Sequence, residues 1–178
     1  MNIKKIMTAV KVANITKCNN NIRKKIQIEW IGDNEVLTSP NGRVYLIVVN
    51  GIIYKIGGSQ AKGGIKGTWA PYINSALSGA PSTRTYGIHI LIRKELNKKN
   101  KVEIYMIQSP KVKVKIPGLF KHTLKNVSPF KEMEKQCLQD YIDYVGNFPI
   151  WNFQEASKPW PISIQNQCNE IRTKCVKK

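Results

Sequence analysis

Lys55 is the residue of this sequence whose chemistry most needs an explanation. It lies in the run RVYLIVVNGIIYKIGGS, residues 43–59, where Ile53, Tyr54 and Ile56 surround it. A strand that enters a core does not normally carry an ammonium group. We therefore expect Lys55 either to extend to the edge of a sheet or to face a negatively charged group.

The chain has a large excess of positive charge. Of its 178 residues, 29 are Lys or Arg and 11 are Asp or Glu, which gives a formal net charge of +18. A field of this size attracts arrays of phosphates and accelerates encounter with them. The composition predicts a polyanionic partner, with nucleic acid as the first choice and an anionic membrane surface as the second.

The segment GGSQAKGGIKGT, residues 57–68, combines five glycines with two lysines. Glycine lets backbone N–H groups approach phosphate oxygens closely, and Lys62 or Lys66 could add a charge there. The segment is not a Walker A loop, because no G-K-[ST] closes it. A flexible loop without a ligand is the alternative interpretation.

Glu132 and Glu134 both fall in the first turns of a helix predicted from about 129 to 145. At helical spacing Glu134 shares a face with Leu138 and Tyr141, whereas Glu132 shares a face with polar residues. A carboxylate at the edge of an apolar face needs a partner. A divalent metal ion and a nearby lysine both meet that need, and the pattern does not decide between them.

Several other basic residues could contact DNA bases or phosphates. The segment KVKVKIPG alternates strictly, so that Lys111, Lys113 and Lys115 share one face, the pattern of a half-buried strand. This lysine face is either a solvated edge that resists aggregation or a strip that faces DNA. The remaining candidates for DNA contact are Lys62, Arg93, Lys94 and Lys121.

These residues must be positioned by a small set of strands and helices. The sequence predicts two strands around Asn50-Gly51, a helix that Thr68 caps and that runs through Leu77, a second helix at 86–100, a strand at 101–109 and the last helix. This order, β-β-α-α-β-α, predicts an α+β fold with a small central antiparallel sheet flanked by helices.

One domain is expected for a chain of this length. Its predicted core spans residues 41–156 and contains a basic β insertion at 109–130. Residues 1–40 are predicted to form an N-terminal extension, with a basic helix over Ile3–Ile15 and then a strand at KKIQIEWIG. Residues 157–178 are expected to form a C-terminal tail.

The cysteines and the hydropathy pattern predict an intracellular protein. The four cysteines form no C-x-x-C pair and lie far in sequence from His89 and His122, so we expect reduced thiols and no zinc site. No apolar run reaches the eighteen or more residues of a spanning helix. A cytoplasmic location without a membrane partner follows as the expectation.

The strand pair resembles the core of the GIY-YIG nucleases, which are named for two tripeptides on adjacent antiparallel strands. RVY at Arg43–Tyr45 corresponds to the first tripeptide and keeps its tyrosine. KIG at Lys55–Gly57 corresponds to the second, with lysine in place of tyrosine as in certain restriction enzymes of the superfamily. The resemblance covers roughly Arg43 to Asn152.

The resemblance also implies which residues form the site. The superfamily carries a basic residue near the start of its first helix, a glutamate in its last helix and often an asparagine beyond it. Lys66 or Arg84 matches the first of these places, Glu134 the second and Asn152 the third. The implied cofactor is Mg²⁺, with Mn²⁺ as the alternative, held by Glu134 against the scissile phosphate and the leaving 3′-oxygen of DNA.

The implied mechanism needs a group that helps to deprotonate the attacking water. Tyr45 is the first choice for this base or for positioning the water, with nearby Lys55 expected to lower its pKa. Tyr72, one turn into the first helix, is the second tyrosine to consider, and a core aromatic is the alternative interpretation of it.

The connection between the two strands decides whether Tyr45 and Lys55 share a face. A two-residue Asn50-Gly51 turn places Tyr45 opposite Ile56, with Tyr54 on its side of the sheet. A three-residue connection that includes Val49 places Tyr45 opposite Lys55. The resemblance requires this longer connection or a bulge; otherwise Tyr54 replaces Lys55 as the partner of Tyr45.

Three functions remain open from the sequence. The first is a sequence-specific endonuclease of the type II restriction kind, which would work as a homodimer on double-stranded DNA. The second is a GIY-YIG nuclease of a mobile element or of repair. The third is a basic DNA- or RNA-binding protein without catalysis, against which Glu134 argues, because a surface that only binds phosphates would avoid a carboxylate.

Overall fold

The computed structural model describes residues 1–18, 26–74 and 80–176. A short 3-10 turn, Ile3–Lys5, comes first. The strands are β1 Val10–Lys17, β2 Ile26–Trp30, β3 Arg43–Val49, β4 Ile52–Ser59, β5 Val102–Gln108, β6 Val112–Pro117 and β7 His122–Val127. The helices are α1 Asn34–Thr38, α2 Gly64–Asn74, α3 Thr83–Asn97, α4 Phe130–Val145 and α5 Ile162–Val176.

Five strands form one antiparallel sheet in the order β2-β1-β5-β3-β4. Helices α2 and α3 cover one face through side chains such as Trp69 and Ile92, and α4 covers the other through Leu138 and Tyr141. Alternation along β3 supplies both cores, since Tyr45 belongs to the first and Val44 to the second. The predicted α+β fold with a central antiparallel sheet is confirmed.

The N-terminal residues form part of the sheet. The predicted helix over Ile3–Ile15 was wrong, because Val10–Lys17 is a strand paired with both β2 and β5. Val12, Ala13 and Ile15 are buried in it. A short apolar segment fits either structure, and here the open edge of β5 selects the strand.

The β3–β4 hairpin combines a short turn with a bulge. Asn50 and Gly51 have φ values of 47° and 81°, as a two-residue type I′ turn requires, so of the alternatives left open by the sequence the three-residue connection does not form and a bulge is present instead. Beyond the turn Val48 pairs with Ile53, and the register then shifts by one residue, so that Tyr54 is bulged out.

The bulge changes which residues of the two strands meet. Past it, Ile47 pairs with Lys55 and Tyr45 pairs with Gly57. Tyr45 therefore lies opposite neither Ile56 nor Lys55. Lys55 is nevertheless on its face, because residues two apart on a strand point to the same side.

The glycine-rich segment is only partly a loop. β4 continues to Ser59 and α2 begins at Gly64, four residues before the predicted cap, and the predicted helix end at Leu77 lies outside the described residues. Thr68 does not cap the helix: its hydroxyl donates to the carbonyl of Gly64 at 3.0 Å. Lys66 is therefore a helical residue and Lys62 lies in the connection.

The basic insertion is a separate two-stranded hairpin of β6 and β7. Its predicted half-buried strand was wrong, because every residue from 110 to 127 is exposed. The strict alternation correctly predicted a strand, but no other element of the described ranges covers its apolar face.

The C-terminal residues form more than a tail. Helix α5 packs on α3, where Ile164 and Cys168 are buried with Tyr86. Within the described residues, no helix combines the length and the apolar composition needed to cross a membrane.

Candidate active site

Lys55 is buried where β4 forms the edge of the sheet. Its side chain is only 3% exposed, and its Nζ lies 3.7 Å from a carboxylate oxygen of Glu155. Burial lowers the pKa of Lys55, whereas Glu155 and, more weakly, Glu134 act in the opposite direction. The buried ammonium group thus faces a polar cluster, which we define as Tyr45, Lys55, Tyr72, Arg84, Glu134 and Glu155.

Tyr45 and Tyr72 meet inside this cluster. Their hydroxyl oxygens are 3.1 Å apart, and Trp69 packs edge-on against the Tyr45 ring at 6.0 Å. Tyr45 also needs the bare backbone of Gly57, where an added Cβ would lie 2.6 Å from its hydroxyl oxygen. The sheet supplies one tyrosine and α2 the other, and His89 fixes α2 by donating from Nδ1 to the Tyr72 carbonyl at 2.8 Å.

The protonation of Tyr45 differs from the sequence-based expectation. Burial raises the pKa of Tyr45 well above its ordinary value, and Tyr72 raises it further. Arg84, not Lys55, is the neighbour that lowers it. The expected lowering of the Tyr45 pKa by Lys55 was wrong, because loss of hydration outweighs the nearby positive charge.

Arg84 stands at the first turn of α3, exposed to solvent at the rim of the cluster. Loss of hydration lowers its pKa, but Tyr72, Tyr45, Glu155 and Glu134 together raise it above the ordinary value. Lys66, the alternative for this place, contacts α1 instead: its Nζ donates to Asn34 at 2.7 Å. Arg84 is thus the predicted cation that lies with the tyrosines.

Glu134 reaches the cluster from the opposite face of the sheet. It projects from α4 over Gly58, where an added Cβ would lie 2.5 Å from its Oε2. Glu134 is half-buried and Glu132 exposed, as the helical spacing predicted. It also influences the pKa values of Lys55, Tyr45 and Arg84, which places all three within electrostatic range.

The surroundings of Glu134 are compatible with a hard divalent cation. Among the described residues, no lysine or arginine lies within ion-pair distance of this carboxylate. The same part of the chain holds no group of three His, Cys, Asp or Glu suited to a metal. A half-buried carboxylate of this kind suits Mg²⁺, which commonly uses one or two carboxylates together with substrate phosphates and water.

The segment after α4 holds the bulge in place. Asn152 accepts a hydrogen bond from the Ile56 N–H at 2.9 Å and donates one to the Ile56 carbonyl at 2.8 Å. The backbone N–H of Trp151 donates to the Tyr54 carbonyl, and the Trp151 ring packs against the Tyr54 ring. Asn152 therefore binds the edge strand, and Tyr54 is a core aromatic next to the cluster.

Glu155 is the cluster residue that the sequence analysis missed. It follows Asn152 by three residues and is brought to Lys55 by the segment that covers β4. One signal was available: Glu155 is one of only 11 acidic residues, and it lies between Trp151 and Trp160.

The residues predicted to bind DNA lie outside the cluster. Lys62 is exposed in the connection before α2, and on α3 Arg93 is half-buried and Lys94 exposed. The others lie exposed on the β6–β7 hairpin or its tip: Lys111, Lys113, Lys115 and Lys121.

Two solved structures share this fold. A point mutant of bacteriophage T4 EndoII superimposes with a TM-score of 0.55 over 85% of this chain and 99% of its own, at 15% identity. The restriction endonuclease HPY188I, solved in complex with product DNA, gives a TM-score of 0.51 over 84% of each chain at 23% identity. No family model and no curated protein sequence matches the chain.

Proposed function

We propose that this protein is a sequence-specific endonuclease for double-stranded DNA, of the GIY-YIG type and most like its restriction enzymes. The observation that carries the proposal is the cluster at strand β4: two tyrosine hydroxyls in contact, a buried lysine, a carboxylate that lies against Gly58, and an arginine within electrostatic range of them. Two endonucleases with the same fold support it, one of them bound to product DNA.

The cluster suits the displacement at a phosphodiester. Water attacks phosphorus, the bond from phosphorus to the 3′-oxygen breaks, and the products carry a 5′-phosphate and a 3′-hydroxyl. Negative charge builds on the non-bridging and leaving oxygens during this step. Lys55 and Arg84 would stabilise that charge from fixed positions.

Tyr45 would act as a protonated hydroxyl. The pKa of Tyr45 is raised by burial, so its O–H is retained at neutral pH. The Tyr45–Tyr72 pair can then hold the attacking water or a phosphate oxygen by hydrogen bonds, which fixes the geometry of attack. Water positioning is thus the role of Tyr45 that its surroundings favour over proton abstraction.

Glu134 would hold the divalent cation, Mg²⁺ or Mn²⁺. When bound there, the cation would supply Lewis-acid stabilisation of the phosphate oxygens. The absence of a side chain at Gly58 leaves the space into which the Glu134 carboxylate extends. Glu155 would keep Lys55 charged without contacting the substrate.

Plasmid cleavage tests the proposal. Unmethylated plasmid is incubated with the protein and Mg²⁺, and the fragment ends are sequenced. Discrete ends that share a short motif are expected. Ends restricted to one long site or to branched DNA would instead indicate a mobile-element or repair nuclease, and DNA binding without cleavage would leave only a binding protein.

A homodimer on DNA belongs to the proposal, because two-fold symmetry matches cleavage of both strands of a palindrome. Once the cleavage site is known, a duplex that contains it is mixed with the protein, with Ca²⁺ in place of Mg²⁺. Sedimentation of this complex should show two protomers per site. One protomer per site would contradict the dimer unless the two strands are cut in sequence.

A further inference from the structure

The β6–β7 hairpin projects from the molecule as an arm. All residues from 110 to 127 are exposed, and within the described part of the chain the two strands of the arm pair with each other and with no other strand. An isolated two-stranded hairpin is marginally stable in water, so a surface that contacts both strands would stabilise it.

The charge of the arm selects the kind of surface. Residues 109–130 contain five lysines and no acidic residue. Lys113 and Lys115 lie on one face of the ribbon, in register with Asn126 and Leu124. A duplex groove is lined on both sides by phosphates, and such a ribbon can lie in it with the lysines of one strand against the phosphates of one wall.

The tip of the arm carries apolar side chains. Leu119 is 95% exposed and Phe120 is 99% exposed, although both are large and apolar. The backbone N–H of Gly118 donates to the Lys121 carbonyl at 3.0 Å, which closes the loop and holds both side chains at its apex. A closed apolar tip between basic strands has the chemistry of a wedge that enters stacked bases.

We propose that the arm binds the minor groove of DNA, where Lys113 and Lys115 contact phosphates and Leu119 and Phe120 insert between neighbouring base pairs. The proposal rests on the DNA-binding function proposed above and extends it to a deformation of the duplex. A protein partner for the apolar tip is disfavoured by the five lysines without a compensating acid. Insertion unstacks and untwists the step that it enters.

The topology of closed circular DNA tests the wedge without knowledge of the recognition sequence. Relaxed plasmid is saturated with protein in EDTA, treated with a topoisomerase that needs no metal, and its linking number is read after removal of the protein. Wild type should lower the linking number. The double variant Leu119→Ser/Phe120→Ser should lose most of this change while it still saturates the plasmid.

Two control variants separate the wedge from charge and from general surface change. Met7→Ser removes another apolar side chain that is 97% exposed but lies off the arm, and it should unwind DNA as wild type does. Lys113→Gln/Lys115→Gln should reduce the slope of log K against log salt by about 0.9 for each phosphate that the arm no longer neutralises. The tip variant should keep the wild-type slope.

The outcomes distinguish failure of the wedge from failure of the nuclease proposal. Unchanged linking number in a wild-type complex, or equal unwinding by the tip variant, overturns the wedge and leaves DNA cleavage unaffected. A change in the association state of the DNA-free protein on mutation of the tip would assign Leu119 and Phe120 to a protein contact instead. Absence of any DNA binding by wild type would overturn both proposals.

Discussion

At the scale of single residues, the site depends on how a few charges are held out of water. Lys55 is buried with Glu155 as its ion-pair partner, and Arg84 approaches the same cluster from the solvent side. Glu134 has no such basic partner within ion-pair distance among the described residues. Removing the charge of Glu134 should therefore have a different effect from removing the charge of Glu155.

Glu134→Gln keeps the shape of the side chain and removes its charge. Loss of a cation ligand should reduce the cleavage rate by about 100-fold or more, while DNA binding survives or tightens because one repulsive carboxylate is gone. The matched control is Glu132→Gln, which changes an exposed carboxylate two residues away and should cut normally. Cleavage rate, DNA affinity and melting temperature are measured for both.

Retention of the wild-type cleavage rate by Glu134→Gln, with normal binding, would remove this residue from the active site. A strongly lowered melting temperature would instead indicate that the carboxylate neutralises a buried lysine, since breaking a fully buried pair costs on the order of 3–5 kcal/mol.

The pH dependence of cleavage should report the charge of Lys55. Burial lowers the pKa of Lys55, so its stabilising charge is present at low pH and is lost, as pH rises, earlier than for an ordinary lysine. Glu155 acts to raise that pKa. In Glu155→Gln the pKa should therefore fall further, and the alkaline limb of the rate should move to lower pH.

Lys55→Arg provides the opposite change, because a guanidinium stays charged across neutral and alkaline pH. The alkaline limb of the cleavage rate should therefore move to higher pH in this variant. Rates of single-turnover cleavage across neutral and alkaline pH provide the measurement. An alkaline limb that stays in place in both variants would show that another group governs it.

At the scale of elements, two glycines let a strand and a helix on opposite faces contribute to one cluster. Gly57 accommodates the Tyr45 ring and Gly58 the Glu134 carboxylate. The segment that carries Asn152 then fixes the bulge that turns Lys55 to the same face. The site is therefore built at the edge strand β4.

Gly58→Ala tests this arrangement without changing any charge. The new Cβ would lie 2.5 Å from the Glu134 Oε2, so the flexible end of that side chain must move by roughly 1 Å, a displacement that can cost about 100-fold in rate. The fold should tolerate the change, because the carboxylate can rotate away.

The control for Gly58→Ala is Gly67→Ala in α2, where the new Cβ would meet the Ala61 Cβ at an ordinary 3.6 Å. Alanine in a helix should stabilise the protein by about 0.5–1 kcal/mol and leave cleavage unchanged. Denaturant unfolding and cleavage rates are measured for both variants. Equal cleavage rates would contradict the requirement for close packing of the Glu134 carboxylate against Gly58.

At the scale of the whole molecule, some of the acidic groups are neutralised within the fold. Glu103 pairs with Lys11 and Lys101, and Glu95 pairs with Lys98. The net charge of +18 therefore remains available to a polyanion. This field should dominate association with DNA.

DNA binding without metal should weaken steeply with salt. Log K should fall against log salt with a slope of about 0.9 for each neutralised phosphate of duplex DNA. Fluorescence anisotropy with a labelled duplex in EDTA, over a series of salt concentrations, gives this slope. A slope near zero would contradict the nucleic-acid function as a whole, whatever the cluster does.

The sequence alone determined the features that depend on near neighbours along the chain. The 3.6-residue periodicity of α4 placed Glu134 inward and Glu132 outward, and Asn50-Gly51 correctly marked a hairpin turn. The excess of lysine and arginine pointed to a polyanion at once. These signals are local because helix faces and tight turns are set by contacts within a few residues.

Only the tertiary structure decided the features that depend on distant partners. The bulge at Tyr54 is held by Trp151 and Asn152, and the Asn152 contacts span 96 positions of the chain. The same segment brings Glu155 to Lys55, and pairing with β5 makes a strand of Val10–Lys17. Local propensities in these segments are weak, so long-range hydrogen bonds and burial select one conformation among several that the sequence permits.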